Sequence, residues 1–197
     1  MDRPFIIHLM RHLPTAGNQE KKYIGWTDEP ILETAEQSWE LPNLPPIIRG
    51  SDLLRSKQSA AIYFPHAEFV ADSRWRECNF GVFEGKTYNN LEKNMGYRKW
   101  LEDPYINPPH NGESLAEVEK RVLAALKSLP NGSVVITHGG PIRVLLTKFS
   151  KELVDFWSWK VPHGTKCRLE WENLKAFEEG EPCTSISVAH RMENENT

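Results

Sequence analysis

Apolar positions in this chain fall in short clusters, parted by stretches of Pro, Gly and polar residues, a pattern suited to brief buried strands alternating with modest helices. Phe5-Ile-Ile-His-Leu-Met10 is a strand candidate, and the polar run from Arg11 to Asn18, which carries a Pro and a Gly, reads as a functional loop after it. Ile47 to Leu54 offers a second strand. Ser56 to Tyr63 then has helix-forming character and is closed by Pro65. Ala67–Ala71 is a brief strand candidate, and the Gly, Asn and Tyr residues between Phe80 and Asn94 suggest a loop with a short helix.

The pattern is clearest from Ser114 on. Ser114 and Glu117 match a capping box, and Leu115, Val118, Val122, Ala125, Leu126 and Leu129 recur at helical spacing until Pro130-Asn131-Gly132 stops the helix. Ser133-Val-Val-Ile-Thr137 is a buried-type strand leading into His138-Gly139-Gly140, with Pro141 where the first turn of a helix through Leu146 tolerates it. Lys166–Trp171 and Ser185–Ala189 read as late strands near an edge. Strands alternating with helices predict a three-layer α/β/α sandwich with a mostly parallel central sheet. Ligands in such sheets bind beyond the carboxyl ends of the strands, where Arg11-His12, Arg55 and His138 all fall. Two histidines, two arginines and several amides gathered there form an anion site, and phosphate is its natural occupant.

Composition narrows the function. The 197 residues fit one domain, taken as 1–191, with the polar end 192–197 a flexible tail. With 39% hydrophobic and 26% charged residues the chain can bury a sizeable core. A net charge of -3, from 24 Lys and Arg against 27 Asp and Glu, argues against a nucleic-acid-binding face. Phe5-Ile6-Ile7 is too short for a signal or membrane segment, so a cytoplasmic protein without a membrane partner is expected. Cys78, Cys167 and Cys183 form no CxxC pair, and His66, His110, His163 and His190 lack metal-ligand spacing; neither a metal nor another cofactor is expected. His8 reads as a sheet-face histidine, and Phe156, Trp157 and Trp159 as core or pocket wall.

Four segments carry a resemblance to a known family. LMRHLPTAGN at 9–18 resembles the Arg-His-Gly motif of the phosphoglycerate mutase and histidine phosphatase superfamily. SDLLRSKQSA at 51–60, ECNFGVFEGK at 77–86 and VVITHGGPIRVLL at 134–146 are similar to its later segments, in family order. The resemblance implies that His12 is a nucleophile forming phosphohistidine, that Arg11, Asn18 and Arg55 bind phosphoryl oxygens, that Glu84 donates a proton to the leaving group, that His138 flanks the transferring group and that Gly139 adds a backbone donor. The chemistry wants these residue types. A neutral imidazole attacks phosphorus well, and fixed guanidinium forks stabilise the charge spread over the equatorial oxygens without a metal. Phe80, Val82 and Phe83 would desolvate Glu84, with Glu77, Glu92 and Glu113 as competitors on nearby segments.

The chain departs from the family pattern at Leu13, where Gly is usual, and at Pro14. A branched residue does not take positive φ cheaply, so this loop must have ordinary dihedrals or carry strain. The Gly expected near Thr34-Ala35-Glu36 is also missing. A short span from Glu84 to Gly112 favours hydrolysis over mutase action. The implied activity is therefore a metal-independent phosphomonoesterase acting on a small soluble phosphate ester, with the alpha-ribazole phosphatases of cobalamin biosynthesis the most similar members. A phosphoglycerate mutase and a catalytically silent phosphate-binding or regulatory module are the rival readings; oligomeric state is not legible.

Overall fold

The computed structural model describes residues 3–33 and 45–189, so Thr34-Ala35-Glu36 and the tail lie outside the described residues. In chain order the elements are β1 (Phe5–Arg11), α1 (Ala16–Gln19), β2 (Ile47–Gly50), α2 (Leu54–Tyr63), β3 (Glu68–Ala71), α3 (Tyr88–Leu91), α4 (Met95–Glu102), α5 (Leu115–Leu126), β4 (Ser133–Thr137), α6 (Gly139–Phe149), β5 (Lys166–Trp171), α7 (Leu174–Glu179) and β6 (Ser185–Ala189). The strands form one sheet in the order β3-β2-β4-β1-β5-β6. Pairs β1–β4, β2–β4 and β2–β3 are parallel, whereas β5 runs antiparallel to both β1 and β6. The sheet is thus mostly parallel with an antiparallel flank.

Alternation along the central strands divides the core between two faces. Val134 and Ile136 of β4 pack with Met10, Leu13, Ile48, Ala60 and Tyr63, beneath α2. Val135, with Ile7 and Leu9 of β1, faces the larger core built by Val118 and Val122 of α5, Ile142 and Leu145 of α6, and Phe177 of α7. Helices therefore cover both faces, which makes the three layers. A third cluster, Phe83, Leu91, Tyr97 and Trp100, lies under α3 and α4.

Local chemistry accounts for the helix starts. Ser114 accepts from the Glu117 amide while the Glu117 side chain reaches back to Ser114, the expected capping box. α2 has no side-chain cap from Leu53, but Asp28 accepts from the Leu54 amide at 2.7 Å and puts a negative charge on its first turn. α6 runs to Phe149, one turn past the expected end at Leu146. Three helices were not foreseen: the single turn α1, which falls at the end of the segment read as a loop, and α4 and α7, which are short and largely polar on their outer faces.

Candidate active site

β1 delivers Arg11 and His12 to the carboxyl end of the sheet, and its ladder continues past the strand: His12 N–H donates to the Thr137 carbonyl at 3.0 Å and Arg11 N–H to the Thr165 carbonyl at 3.0 Å. The His12 ring is buried, with Nδ1 2.6 Å from the Leu13 carbonyl. A carbonyl only accepts, so Nδ1 carries the proton and the Nε2 lone pair is left for attack. Burial first, then the charges of Arg55 and Arg11, push this imidazole well below the usual histidine range, and it stays neutral at ordinary pH.

Leu13 explains how the loop does without glycine. Its side chain is fully buried with Met10, Ile48 and Val134, and its amide donates to Ser59 Oγ at 2.9 Å. Among the described residues the non-glycine positions with positive φ are Lys21 and Asn111, so the loop at Leu13 has ordinary dihedrals. Leu13 anchors the nucleophile segment to the sheet's second core.

His138 follows β4 and is the N-cap residue of α6; its ring lies 4.9 Å from that of His12, centroid to centroid. Both ring nitrogens are buried with no partner among the described residues, and burial with Arg55 and His12 lowers its pKa strongly. Arg55 is wholly buried. Its terminal nitrogens donate to the Thr27 carbonyl at 2.8 Å and the Gly25 carbonyl at 2.6 Å, while Nε has no partner among the described residues. Arg11 repeats this pattern, with Nη1 on the Val161 carbonyl at 2.6 Å and Nε without a partner among the described residues. Burial lowers the Arg11 pKa to about 10, with Glu77 opposing the shift, so the group stays cationic. Buried donors aimed at no protein acceptor mark the place of an anion.

Asn18 lines the adjoining cleft, though its Oδ1 accepts from the Thr15 amide in a capping box, which leaves the amide nitrogen as the end that donates. Gly139 packs against the guanidiniums: a Cβ there would meet Arg143 Nη1 at 3.0 Å and Arg11 Cζ at 3.4 Å. The structure thus brings Arg11, His12, Asn18, Arg55, His138 and Gly139 to one end of the sheet.

Glu84 does not join them. Its carboxylate accepts from the amides of Gly25, Trp26, Thr27 and Phe80, and from the Thr27 hydroxyl at 2.7 Å. With its oxygens so engaged it clamps the 25–27 turn, whose carbonyls in turn orient Arg55. Glu77 occupies the cleft instead. Its carboxylate accepts from the Gly140 amide, both oxygens at 3.1 Å, and from the Cys78 amide at 2.9 Å, and it acts on the charges of Arg11, Arg55 and Arg143. Glu113 pairs with Arg121 at 2.9 Å and is committed to that bridge.

Residues outside the motifs complete the site. His163, given no role by spacing, has its ring 5.2 Å from that of His12. Arg143 Nε donates to the Trp159 carbonyl at 3.0 Å. A cleft of about 210 Å³ shares Arg11 and Glu77 with this cluster and is walled by Tyr23, Phe80, Trp100, Phe156 and Trp157. Trp157 and Phe156 are therefore pocket wall, one of the two roles expected for them. Nothing in the one-dimensional pattern announced His163: it follows no apolar strand, and only the turn into β5 carries it inward.

A mostly parallel sheet whose strand ends present two buried histidines among fixed arginines is the architecture of a phosphoryl-binding α/β protein. The comparisons agree: residues 7–178 match the model of the histidine phosphatase superfamily (branch 1), and the chain belongs to that family. A relative named "Probable phosphoglycerate mutase GpmB", from Escherichia coli O1:K1 / APEC, is 33% identical over 150 residues, covering 68% of this chain and 69% of its own. The crystal structure of TTHB049 from Thermus thermophilus superposes with a TM-score of 0.67 at 28% identity, over 85% of this chain and 95% of that one. A protein from Escherichia coli K-12 titled "putative alpha-ribazole-5'-P phosphatase" shares the fold at TM-score 0.70 and 16% identity, covering 94% of each chain. Among the described residues no helix is long and apolar enough to cross a membrane.

Proposed function

We propose that this chain is a metal-independent phosphomonoesterase in which the His12 imidazole takes the phosphoryl group from a small soluble ester and gives it to water. The observation that carries the reading is the state of His12: a buried neutral ring with Nδ1 held by a carbonyl, beside two guanidiniums whose Nε donors face no protein acceptor. Attack of Nε2 on phosphorus forms the P–N bond as the ester P–O bond breaks, and Arg11 and Arg55 hold the oxygens on which charge is spread. Their fixed charges supply what a metal ion supplies elsewhere. His138 donates to the same oxygens.

The leaving alkoxide takes a proton from Glu77 in this reading, in place of Glu84. Geometry supports the exchange, because Glu77 lines the cleft and Glu84 is spent on backbone amides. In the second half, Glu77 accepts the proton of the attacking water and the P–N bond breaks.

The aromatic walls of the cleft favour a leaving group with a flat ring, and alpha-ribazole phosphate is the specific candidate that fits this wall and the name given to one structural neighbour. Mutase action on phosphoglycerates is the second reading, favoured by the name of the 33% identical relative. The test is turnover of a generic aryl phosphate in EDTA, with wild type beside His12→Ala, following inorganic phosphate. Wild type alone is expected to release phosphate, undiminished by EDTA. Phosphate retained on a phosphoglycerate product, dependent on a bisphosphorylated primer, would instead establish the mutase reading.

A further inference from the structure

A third histidine faces the nucleophile from a side that the sequence motifs do not reach. The turn carrying His163 is bound to Arg11 on several sides: Arg11 Nη1 donates to the Val161 carbonyl at 2.6 Å, Gly164 N–H to the Arg11 carbonyl at 3.2 Å, and Arg11 N–H to the Thr165 carbonyl at 3.0 Å. Within the turn, Thr165 N–H donates to the Pro162 carbonyl at 3.1 Å, and Gly164 takes φ 75°, a left-handed value that glycine adopts without strain. The residue that grips the phosphoryl group therefore also fixes where His163 stands.

His163 and His138 stand at similar distances from the His12 ring. Their centroids lie 5.2 Å and 4.9 Å from that of His12, and each ring is inclined to it by 60°. His163 Nε2 is buried and finds no partner among the described residues, as do both nitrogens of His138. The charged groups acting on it are Arg11 and Arg55, which already address the anion. A ring that only filled space would not be served by a buried nitrogen left without an acceptor; an apolar side chain would do better. Two guanidiniums and two imidazoles near His12 thus each carry a buried nitrogen without a partner among the described residues, and a phosphoryl group bound beside His12 would meet all of them as one acceptor.

We propose that His163 is a phosphoryl-contacting residue, its Nε2–H donating to a non-bridging oxygen of the group bound beside His12 and carried on it. This rests on the reading of His12 as the phosphoryl acceptor. The contact adds to that of His138, so that the transferring phosphoryl group is held by neutral donors as well as by the two cations. No bond to His163 forms or breaks.

Calorimetric titration with orthovanadate tests it without relying on turnover, using wild type, His163→Leu and His163→Gln, with thermal midpoints and His12 phosphorylation followed in each. The Leu variant is expected to bind vanadate about tenfold more weakly, the loss of one hydrogen bond to a charged ligand, with its midpoint near that of wild type. Gln, whose amide keeps a donor, recovers most of the affinity. Vanadate bound by the Leu variant as tightly as by wild type would overturn the assignment, as would equal losses in Leu and Gln with both midpoints lowered. Vanadate binding that depends on His163 in a wild type that never labels at His12 would uphold the contact and remove the covalent reading, so the two failures are distinct.

Discussion

At the residue scale two carboxylates divide the roles of working on the substrate and holding the site together. Glu84 collects the amides of Gly25, Trp26, Thr27 and Phe80, and the carbonyls of Gly25 and Thr27 orient Arg55. Glu77 faces the cleft. Glu77→Gln is therefore expected to lower kcat for an aryl phosphate by about 100-fold or more with a modest change in KM, and less for esters with good leaving groups. Glu84→Gln should lower the melting temperature and raise KM as the 25–27 turn loosens its hold on Arg55. Kinetics on both variants with two leaving groups separates the roles; a larger kcat loss in Glu84→Gln would reverse them. Sequence reading set Arg11, His12 and His138 at strand ends because each follows a clear apolar run, whereas the strand expected over Ile47 to Leu54 stops at Gly50 and Arg55 sits in the first turn of α2. The resemblance of segment 77–86 put the acid on Glu84, with Phe80, Val82 and Phe83 to desolvate it, whereas the chain turns at Gly81–Phe83 and presents that carboxylate to backbone amides.

The buried histidines also give the protein a pH signature. Burial, with the charges of Arg11 and Arg55, lowers His163 to about 3 and holds His12 and His138 well below their usual range. The unfolded chain takes up protons on these residues below about pH 6.5, while the fold resists them, so the unfolded state binds more protons. Stability contributed this way is present above that pH and is lost as pH falls from about 6.5 toward 3, by up to about 1.4 kcal/mol per pH unit for each ring. Urea midpoints should fall between about pH 7 and pH 5, and the fall should be shallower in His163→Leu. Parallel slopes for the two proteins would mean that His163 charges without resistance in the fold.

Among the elements, the strands were legible and the peripheral helices less so. Phe5–Arg11, Ser133–Thr137 and Lys166–Trp171 are runs whose burial leaves little choice of state. Met95–Glu102 went unread because its inward residues, Tyr97 and Trp100, belong to an aromatic cluster formed with distant Phe83 and Leu91. Its helical face exists only once those partners are assembled. Two substitutions probe how elements aim the site. Leu13→Ala removes a fully buried side chain beneath α2 and is expected to cost about 2–5 kcal/mol, measured by denaturant unfolding. Gly140→Ala would set a Cβ 2.1 Å from a Glu77 oxygen, forcing the carboxylate off the α6 amide. Activity should then fall as in Glu77→Gln, and an alanine variant with wild-type kcat would show that Glu77 need not rest against α6.

At the scale of the whole molecule, topology makes the site. β4 lies between β1 and β2, so the loops that leave these three neighbouring strands open on one end of the sheet and bring residues 11–12, 55 and 138–140 together. The parallel pairing of β1 with β4 sets His12 N–H on Thr137 and thereby places both histidines in register. The α/β/α layering was foreseen, while the antiparallel flank of β5 and β6 was read only as late edge strands. It is this flank that supplies the turn with His163 and completes the ring of donors around His12. Sequence spacing carried the half of the site built on motifs, and the half brought in by β5 became visible only with the sheet assembled.

The central claim is that phosphate passes through His12. Wild type mixed rapidly with a phosphorus-labelled aryl phosphate and quenched in alkali during turnover should carry alkali-stable, acid-labile phosphate on the peptide containing His12. His12→Ala should carry none. Label on another residue, or turnover with no labelled protein at any quench time, would contradict the account.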